Sequence, residues 1–154
     1  TMLTIVVACD RNGAIGKAGG LPWRQSTDLQ HFKQLTLGGT IVMGRKTWDS
    51  LPGKLPDRRH IVMSRSAIED IEVMDYDSIM ELQDDLFIIG GGEIYRLFIE
   101  NTTVIHRTII DTRIPNADTH FPDITGMGFT LKEELHVEAN ENDDHDMVFQ
   151  QWTR

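Results

Sequence analysis

Cysteine occurs once in this 154-residue chain, at Cys9, so no internal disulfide can form. That absence favours a reducing, cytoplasmic setting. No apolar run approaches the roughly 20 residues that a membrane-spanning helix needs. The apolar stretch Leu3–Cys9 has no basic flank and no following cleavage site, so it reads as a strand and not as an export signal. Cations are in the minority: 15 Lys/Arg stand against 24 Asp/Glu, and the net charge of −9 argues against nucleic acid as a partner. The histidines at 31, 60, 106, 120, 136 and 145 show no ligand spacing, and one cysteine cannot build a thiolate cluster, so no metal site is expected. A nucleophilic triad lacks support as well, because Cys9 lies inside an apolar run and no GxSxG elbow occurs. Repeats, linkers and low-complexity segments are also missing, which leaves one domain spanning residues 1–154.

What is present is an ordinary globular composition with an uneven charge map. Residues 1–65 hold ten Lys/Arg and four Asp/Glu, whereas residues 66–154 hold five and twenty. A basic first part inside an acidic protein fits a focused anion site of small-ligand size, and an unevenly sprinkled solvated surface fits equally well. Leu3–Cys9 and Thr40–Met43 have the near-continuous apolar, β-branched character of strands buried on both faces. His60–Ser64, Ile71–Met74 and Leu86–Ile89 follow as further strands. Helices are expected over about Thr27–Leu35, Arg45–Leu51, Ser78–Leu82 and Gly92–Ile99. Residues 10–24, with four glycines, read as a loop long enough to act as a lid. Strands alternating with helices argue for an α/β fold: a mostly parallel twisted sheet of about eight strands with flanking helices. The last three strand-like segments, Thr103–Asp111, Thr130–Glu138 and Asp146–Thr153, have no helix between the final two and predict an antiparallel C-terminal edge.

Four places carry candidate chemistry. Asp28 falls in the first helix, four residues before Phe32 and beside Leu29 and Leu35, so it lies on an apolar side. Burial there would raise its pKa toward the range useful for handling protons. An acid two residues after a Ser26 N-cap also simply complements the helix dipole. Gly44-Arg45-Lys46-Thr47 places two cations at a helix start, an arrangement that an anion between them would relieve. Ser64-Arg65-Ser66 sets another cation past a strand end, where NAD sites usually place an acid; a base there favours a 2′-phosphate and hence NADPH. Solvated basic turns account for either cluster. Ile89-Gly90-Gly91-Gly92-Glu93-Ile94-Tyr95 is a strand, three glycines and a helix, which lets backbone N–H groups approach a pyrophosphate or merely makes a tight turn. It is not GxGxxG, and the glycine-to-lysine run from Gly39 to Lys46 is not a P-loop, because strand intervenes.

Taken in order, these pieces resemble the dihydrofolate reductases of bacteria and phages. The matching residues are Ala8; Ile15-Gly16; Leu21-Pro22-Trp23; Asp28-Leu29 with Phe32-Lys33; Val42-Met43-Gly44-Arg45-Lys46-Thr47-Trp48; Leu55-Pro56-Asp57-Arg58; Ile89 to Gly92 with Tyr95; and Asp118 to Asp123. The resemblance covers essentially the whole chain. It implies NADPH-dependent reduction of 7,8-dihydrofolate to tetrahydrofolate, serving one-carbon metabolism and thymidylate synthesis. Antifolate inhibitors would be ligands, and the enzyme would be a monomer. It implies that Asp28, oriented by Thr108 and flanked by Leu21 and Trp23, holds the pterin and assists its protonation. Val6, Ala8, Leu29, Phe32, Lys33, Leu51 and Ile89 would line the substrate site, and Arg58 would pair with the α-carboxylate of the folate glutamate. The cofactor would lie against Ala8, Ile15, Gly16, Gly44, Arg45, Lys46, Thr47, Ser64, Arg65 and the segment Ile89, Gly90, Gly91, Gly92, Glu93, Ile94, Tyr95, with a cis peptide between the first two of these glycines. Residues 10–24 would close over the nicotinamide, supported by the loop at Asp118.

The chain departs from the common pattern at Gln25-Ser26, where Leu-Pro is frequent, and at Ala117, where a glycine usually precedes Asp118. Residues 112–117 run one longer than usual, and the segment from Ser66 to Leu86 is shorter. A riboflavin-pathway reductase on the same fold and a catalytically silent folate or nucleotide binder are the alternatives. Asp28 after Pro22-Trp23, together with Arg58, disfavours the first; retention of the acid with both basic clusters disfavours the second.

Overall fold

The computed structural model describes residues 2–16 and 23–154. Residues 17–22 of the expected lid, with Gly19, Gly20 and Leu21, fall outside the described residues. Eight strands form one sheet: β1 (Leu3–Cys9), β3 (Thr40–Gly44), β4 (Arg59–Met63), β5 (Glu72–Val73), β6 (Leu86–Ile88), β7 (Val104–Ile110), β9 (Thr130–Val137) and β10 (Met147–Thr153). Their order across the sheet is β5-β4-β3-β6-β1-β7-β10-β9. Pairings from β5 through to β7 are parallel, and β10 runs antiparallel to both β7 and β9. Helices α1 (Ser26–Thr36), α2 (Arg45–Ser50), α3 (Tyr76–Met80) and α4 (Gly92–Phe98) connect the parallel strands. Among the described residues, no helix is long and apolar enough to cross a membrane.

Alternation along β1 divides the core between the two sheet faces. Leu3, Ile5 and Val7 join Ile88, Ile105, Tyr95 and Phe98 in one buried cluster. A second cluster, Ile41, Met43 and Val62, takes in Trp48, Leu51, Leu55, Phe87 and Ile89. Thr4 is in register with Phe87, and Ala8 with Thr108, so Thr4, Val6 and Ala8 share the second cluster's face. α1 packs over this face, stacking His31 on Phe149 of β10 at 4.0 Å between ring centroids.

Two features differ from the sequence reading. The segment 10–24 is not loop throughout: Ala14–Gly16 forms β2, which pairs antiparallel with β8 (Thr119–His120). Three residues are too few to show a period, so nothing local announces this ribbon. It is anchored by Asp10, whose buried carboxylate accepts hydrogen bonds from the backbone N–H groups of Asn12 (2.8 Å), Ala14 (2.9 Å) and Ile114 (2.7 Å). An ion pair between Arg11 and Asp111 spans the same junction.

The start of α1 also differs. Ser26 is the first helical residue and not its cap; Gln25 occupies the cap position without a capping side-chain bond. The orphan N–H groups are met from the β9–β10 connection, where Asp143 accepts from the Thr27 N–H (2.9 Å) and from the Thr27 hydroxyl (2.6 Å). Gln25 is only 3% exposed, and its amide donates to the His145 carbonyl (2.9 Å) while accepting from the His145 N–H (2.8 Å). Arg24 and Asp144 exchange backbone and side-chain bonds alongside. The departure from Leu-Pro at this point therefore makes a polar clamp between α1 and the C-terminal hairpin.

Replacing Gln25 by Leu restores a common residue type but strips both partners from the His145 peptide groups. Leaving them without the buried amide costs about 1–3 kcal/mol, so Gln25→Leu should lower the urea midpoint accordingly. A variant as stable as the parent would show that the clamp contributes nothing.

Candidate active site

In open sheets of this kind, ligands bind beyond the carboxyl ends of the parallel strands. At that end β1 leads to Asp10, β3 to Gly44 and α2, and β6 to the three glycines and α4. Asp28 approaches from α1 and accepts a hydrogen bond from the Thr108 hydroxyl, which is buried on β7 in register with Ala8 of β1. Burial pushes the Asp28 carboxyl up to about 6; the Thr108 hydroxyl opposes this by favouring the ionised form, and the Asp143 charge adds to it. A carboxyl with that affinity can both hold and release a proton near neutral pH.

The helix face beside Asp28 is open where the sequence pattern implied packing. Thr36 is the fully buried residue of α1, Phe32 is half-buried, and Leu29 leaves 61% of its surface exposed. These side chains border the cleft and do not belong to either buried cluster. Val6 and Ala8 supply its floor from β1, while Leu51 and Ile89 pack at the rim of the second cluster. Trp23 is half-buried at the first described position before α1.

At the other end of α1, the Arg58 guanidinium bonds the Thr36 hydroxyl (3.3 Å) and the Pro56 carbonyl (2.9 Å). Among the described residues it has no carboxylate partner, whereas neighbouring Arg59 is neutralised by Glu72 (2.6 Å) and Asp84 (3.1 Å). A depression of about 270 Å³ lined by Lys54, Arg58, Arg59, His60, Asp70, Ile71 and Glu72 adjoins it. Eight residues separate Asp28 from Thr36, or about 12 Å along the axis. The geometry suits a ligand with a hydrogen-bonding ring at one end and an acid at the other. Lys33 is exposed on the same helix.

The glycine segment lies across from Asp28. The Gly90–Gly91 peptide is cis, and Gly90 has φ 118°. Its carbonyl accepts from the Gly44 N–H (2.8 Å), joining the loops after β3 and β6. A Cβ on Gly44 would meet Ile94 at 3.0 Å, one on Gly90 would meet the Tyr95 hydroxyl at 3.1 Å, and one on Gly92 would meet the Thr119 methyl at 2.7 Å with Ile15 beyond it. The Tyr95 hydroxyl donates to the Val6 carbonyl (2.8 Å), tying α4 to β1, and burial raises its pKa. Thr47 faces Gly91 from α2. Arg45 is drawn toward the Ser64 and Ser66 hydroxyls at 3.5 and 3.4 Å while pairing with Asp49, so the two basic clusters of the sequence converge. Lys46, Arg65 and Glu93 are exposed around them, and Ile15 and Gly16 are half-buried in β2. This segment packs its glycines closely against α4 and β8 and carries cations at its margin, which fits a phosphorylated dinucleotide.

Leu21 lies outside the described residues. Asp10 and Asp143 were not singled out from the sequence, and Gln25 only as a departure from the common pattern, because their partners are defined by the fold. Asp143 stands 116 positions from Thr27, and nothing but an acidic loop marks it locally.

Residues 2–154 match a family model described as dihydrofolate reductase. The chain is 37% identical over 149 residues to the type 3 dihydrofolate reductase of Salmonella typhimurium, covering 92% of this chain and 91% of that one. It is 40% identical over 123 residues to the dihydrofolate reductase of Mycobacterium tuberculosis, covering 75% of each. The solved dihydrofolate reductase of Enterococcus faecalis, complexed with NADP(H) and RAB-propyl, superposes with a TM-score of 0.90 at 28% identity, over 99% of this chain and 96% of that one.

The raised proton affinity of Asp28 has a sign that stability measurements can read. Its folded value, about 6, exceeds the ordinary 3.8, so the folded protein binds this proton more tightly than the unfolded chain. The ionised carboxylate therefore costs stability above about pH 6, and the cost vanishes below about pH 4. Asp28→Asn should gain about 1–2 kcal/mol at pH 7.5 and nothing at pH 4 in urea denaturation, the figure being reduced for partial exposure. Equal stability of the two proteins at both pH values would contradict the burial of the charge.

Proposed function

The chain belongs to the dihydrofolate reductase family, and on that premise we propose which of its residues carry out the NADPH-dependent reduction of 7,8-dihydrofolate to tetrahydrofolate. Asp28 holds the amino and ring nitrogens of the pterin and assists protonation of N5, the proton arriving through an ordered water. Its bond from Thr108 fixes the carboxylate's orientation, and its raised affinity keeps a proton available near pH 6. Val6, Ala8, Leu29, Phe32, Leu51 and Ile89 cover the ring and its extension with apolar surface. Arg58, free of a carboxylate partner among the described residues, clamps the substrate's α-carboxylate with its planar fork. Leu21 and Trp23 cover the ring on the lid side, and Lys33 stands near the acidic tail.

The glycine segment, with its close approaches to Tyr95, Ile94 and Thr119, fits NADPH, which when bound supplies the hydride to the ring carbon adjacent to N5. Gly44, Gly90, Gly91 and Gly92 let the loops after β3 and β6 close tightly against α4, and the cofactor lies along that turn. Arg45, Lys46, Thr47, Ser64 and Arg65 take its phosphates, including the 2′-phosphate. Ala8, Ile15, Gly16, Ile89, Glu93, Ile94 and Tyr95 complete that side. The single observation that carries this reading is the juxtaposition of a desolvated acid, held by Thr108, with a glycine-built dinucleotide surface. The lone cysteine fits a cytoplasmic setting and the net charge of −9 disfavours nucleic acid, while the family resemblance implies a single-domain monomer that takes dihydrofolate and antifolates.

Following NADPH oxidation on addition of dihydrofolate tests the reading: no consumption would refute it, whatever binds. Asp28→Asn should keep NADPH affinity but lose turnover at neutral pH by about 100-fold or more, with partial recovery on acidification as the substrate protonates in solution. A neutral-pH rate like the parent's would remove Asp28 from the role given. For the cofactor, replacing Arg45 and Arg65 by Ala should weaken NADPH by about tenfold or more while leaving NADH nearly unchanged. Equal losses for both, measured by fluorescence titration, would show that the 2′-phosphate is held elsewhere.

A further inference from the structure

We propose that Asp143 is a positioning residue for the reaction: reaching from the β9–β10 connection, its carboxylate caps α1 where no local side chain does so, and fixes the placement and the charge environment of Asp28. The proposal rests on the reading of Asp28 as the acid. α1 begins with no side-chain cap of its own. Asp143 supplies one through both oxygens, accepting from the Thr27 N–H at 2.9 Å, the Thr27 hydroxyl at 2.6 Å and the Asn140 N–H at 3.1 Å. The Asn140 amide closes the ring by donating to the Thr27 hydroxyl at 3.1 Å. Thr27 immediately precedes Asp28, so holding its backbone sets the point from which Asp28 reaches Thr108. The Gln25–His145 and Arg24–Asp144 bonds on either side keep the carboxylate in register with the helix end. An anion at this terminus is also favoured by the helix dipole.

Asp143 remains ionised where Asp28 titrates. Burial opposes its charge, but hydrogen bonds from Thr27, Asn140 and Ser26 outweigh burial and hold its carboxyl below the usual range. The groups facing Asp28 are few. Thr108 on β7 donates to it; Cys9 on β1 and Tyr95 on α4 are kept neutral by burial, which pushes the Cys9 thiol up to about 11. His31, one turn along α1, is pushed toward its neutral form by burial. Of these groups, Asp143 carries the fixed charge. Its repulsion makes ionisation of Asp28 harder and keeps the proton on the acid to higher pH.

Carboxylate-carbon NMR titration of the free, full-length protein tests this. Asp143→Asn keeps an oxygen for the Thr27 N–H and removes the charge. The ratio of ionised to protonated Asp28 at pH 6 should then rise about two- to threefold, and dihydrofolate turnover above pH 7 should fall by a similar factor. Asp143→Ser, an ordinary capping side chain, should give the same displacement and serves if the Asn variant fails to fold. Asp143→Glu retains the charge and should titrate like the parent. An unchanged Asp28 midpoint in the neutral variants, or the same displacement in Asp143→Glu, would overturn the proposal. The titration is read without substrate, so an inert parent enzyme would remove the functional reading and still leave Asp143 decided.

Discussion

The cost of taking the Asp28 carboxylate out of water is the constraint around which the rest of the structure is arranged. A carboxylate buried without compensation would unfold its helix or exclude itself from the cleft. Here one hydroxyl, from Thr108, supports the charge, and the remaining desolvation is left in place as raised proton affinity. Asp10 differs in its surroundings: its buried carboxylate accepts three backbone bonds and holds a loop together. Holding Asp28 at this point requires a sheet that brings Thr108 beside Ala8, and a helix start that cannot drift. The register between β1 and β7 provides the first, and the long-range cap from the C-terminal hairpin provides the second.

The other half of the cleft is built by leaving side chains out. Gly44, Gly90 and Gly92 each sit where a Cβ would crowd a neighbour, and the neighbours are the residues that join elements: Ile94, Tyr95 and Thr119. Tyr95 links α4 to β1 through the Val6 carbonyl, so the glycine turn is tied to the strand that carries Val6 and Ala8. The β2–β8 ribbon reaches the same turn through Thr119 and Ile15. The acid on one wall and the glycine turn proposed to bind phosphate on the other are thus tied to a common sheet, with the β9–β10 connection holding the start of α1.

Much of this was legible in the sequence because it is local. The apolar runs at Leu3–Cys9 and Thr40–Met43 are strands within a residue of where their pattern placed them, and the antiparallel C-terminal edge follows from the missing helix between the last two strands. Arg45 and the Ser64–Ser66 turn were read as separate clusters, and parallel pairing of β3 with β4 brings them together. What escaped was set by contacts between distant residues. Ser26 looked like a cap because Ser usually is one, yet the tertiary bond from Asp143 wins over local propensity. Leu29 lies on the apolar side of the helix that the spacing indicated, yet it leaves 61% of its surface exposed and joins neither buried cluster. The ribbon at Ala14–Gly16 was too short to carry a period, and Gln25 showed only as a departure from the common Leu-Pro, its partner, the His145 peptide, being distant in sequence.

The account stands on Asp28 assisting protonation of the substrate within the reaction. The most direct measurement is the single-turnover rate of NADPH oxidation by dihydrofolate in the unaltered enzyme, followed from about pH 5 to pH 9. The account predicts one descending limb, flat on the acid side, with a midpoint at or above 6 and a tenfold fall for each further pH unit. A rate that stays constant across that range would show that the proton does not depend on this carboxyl.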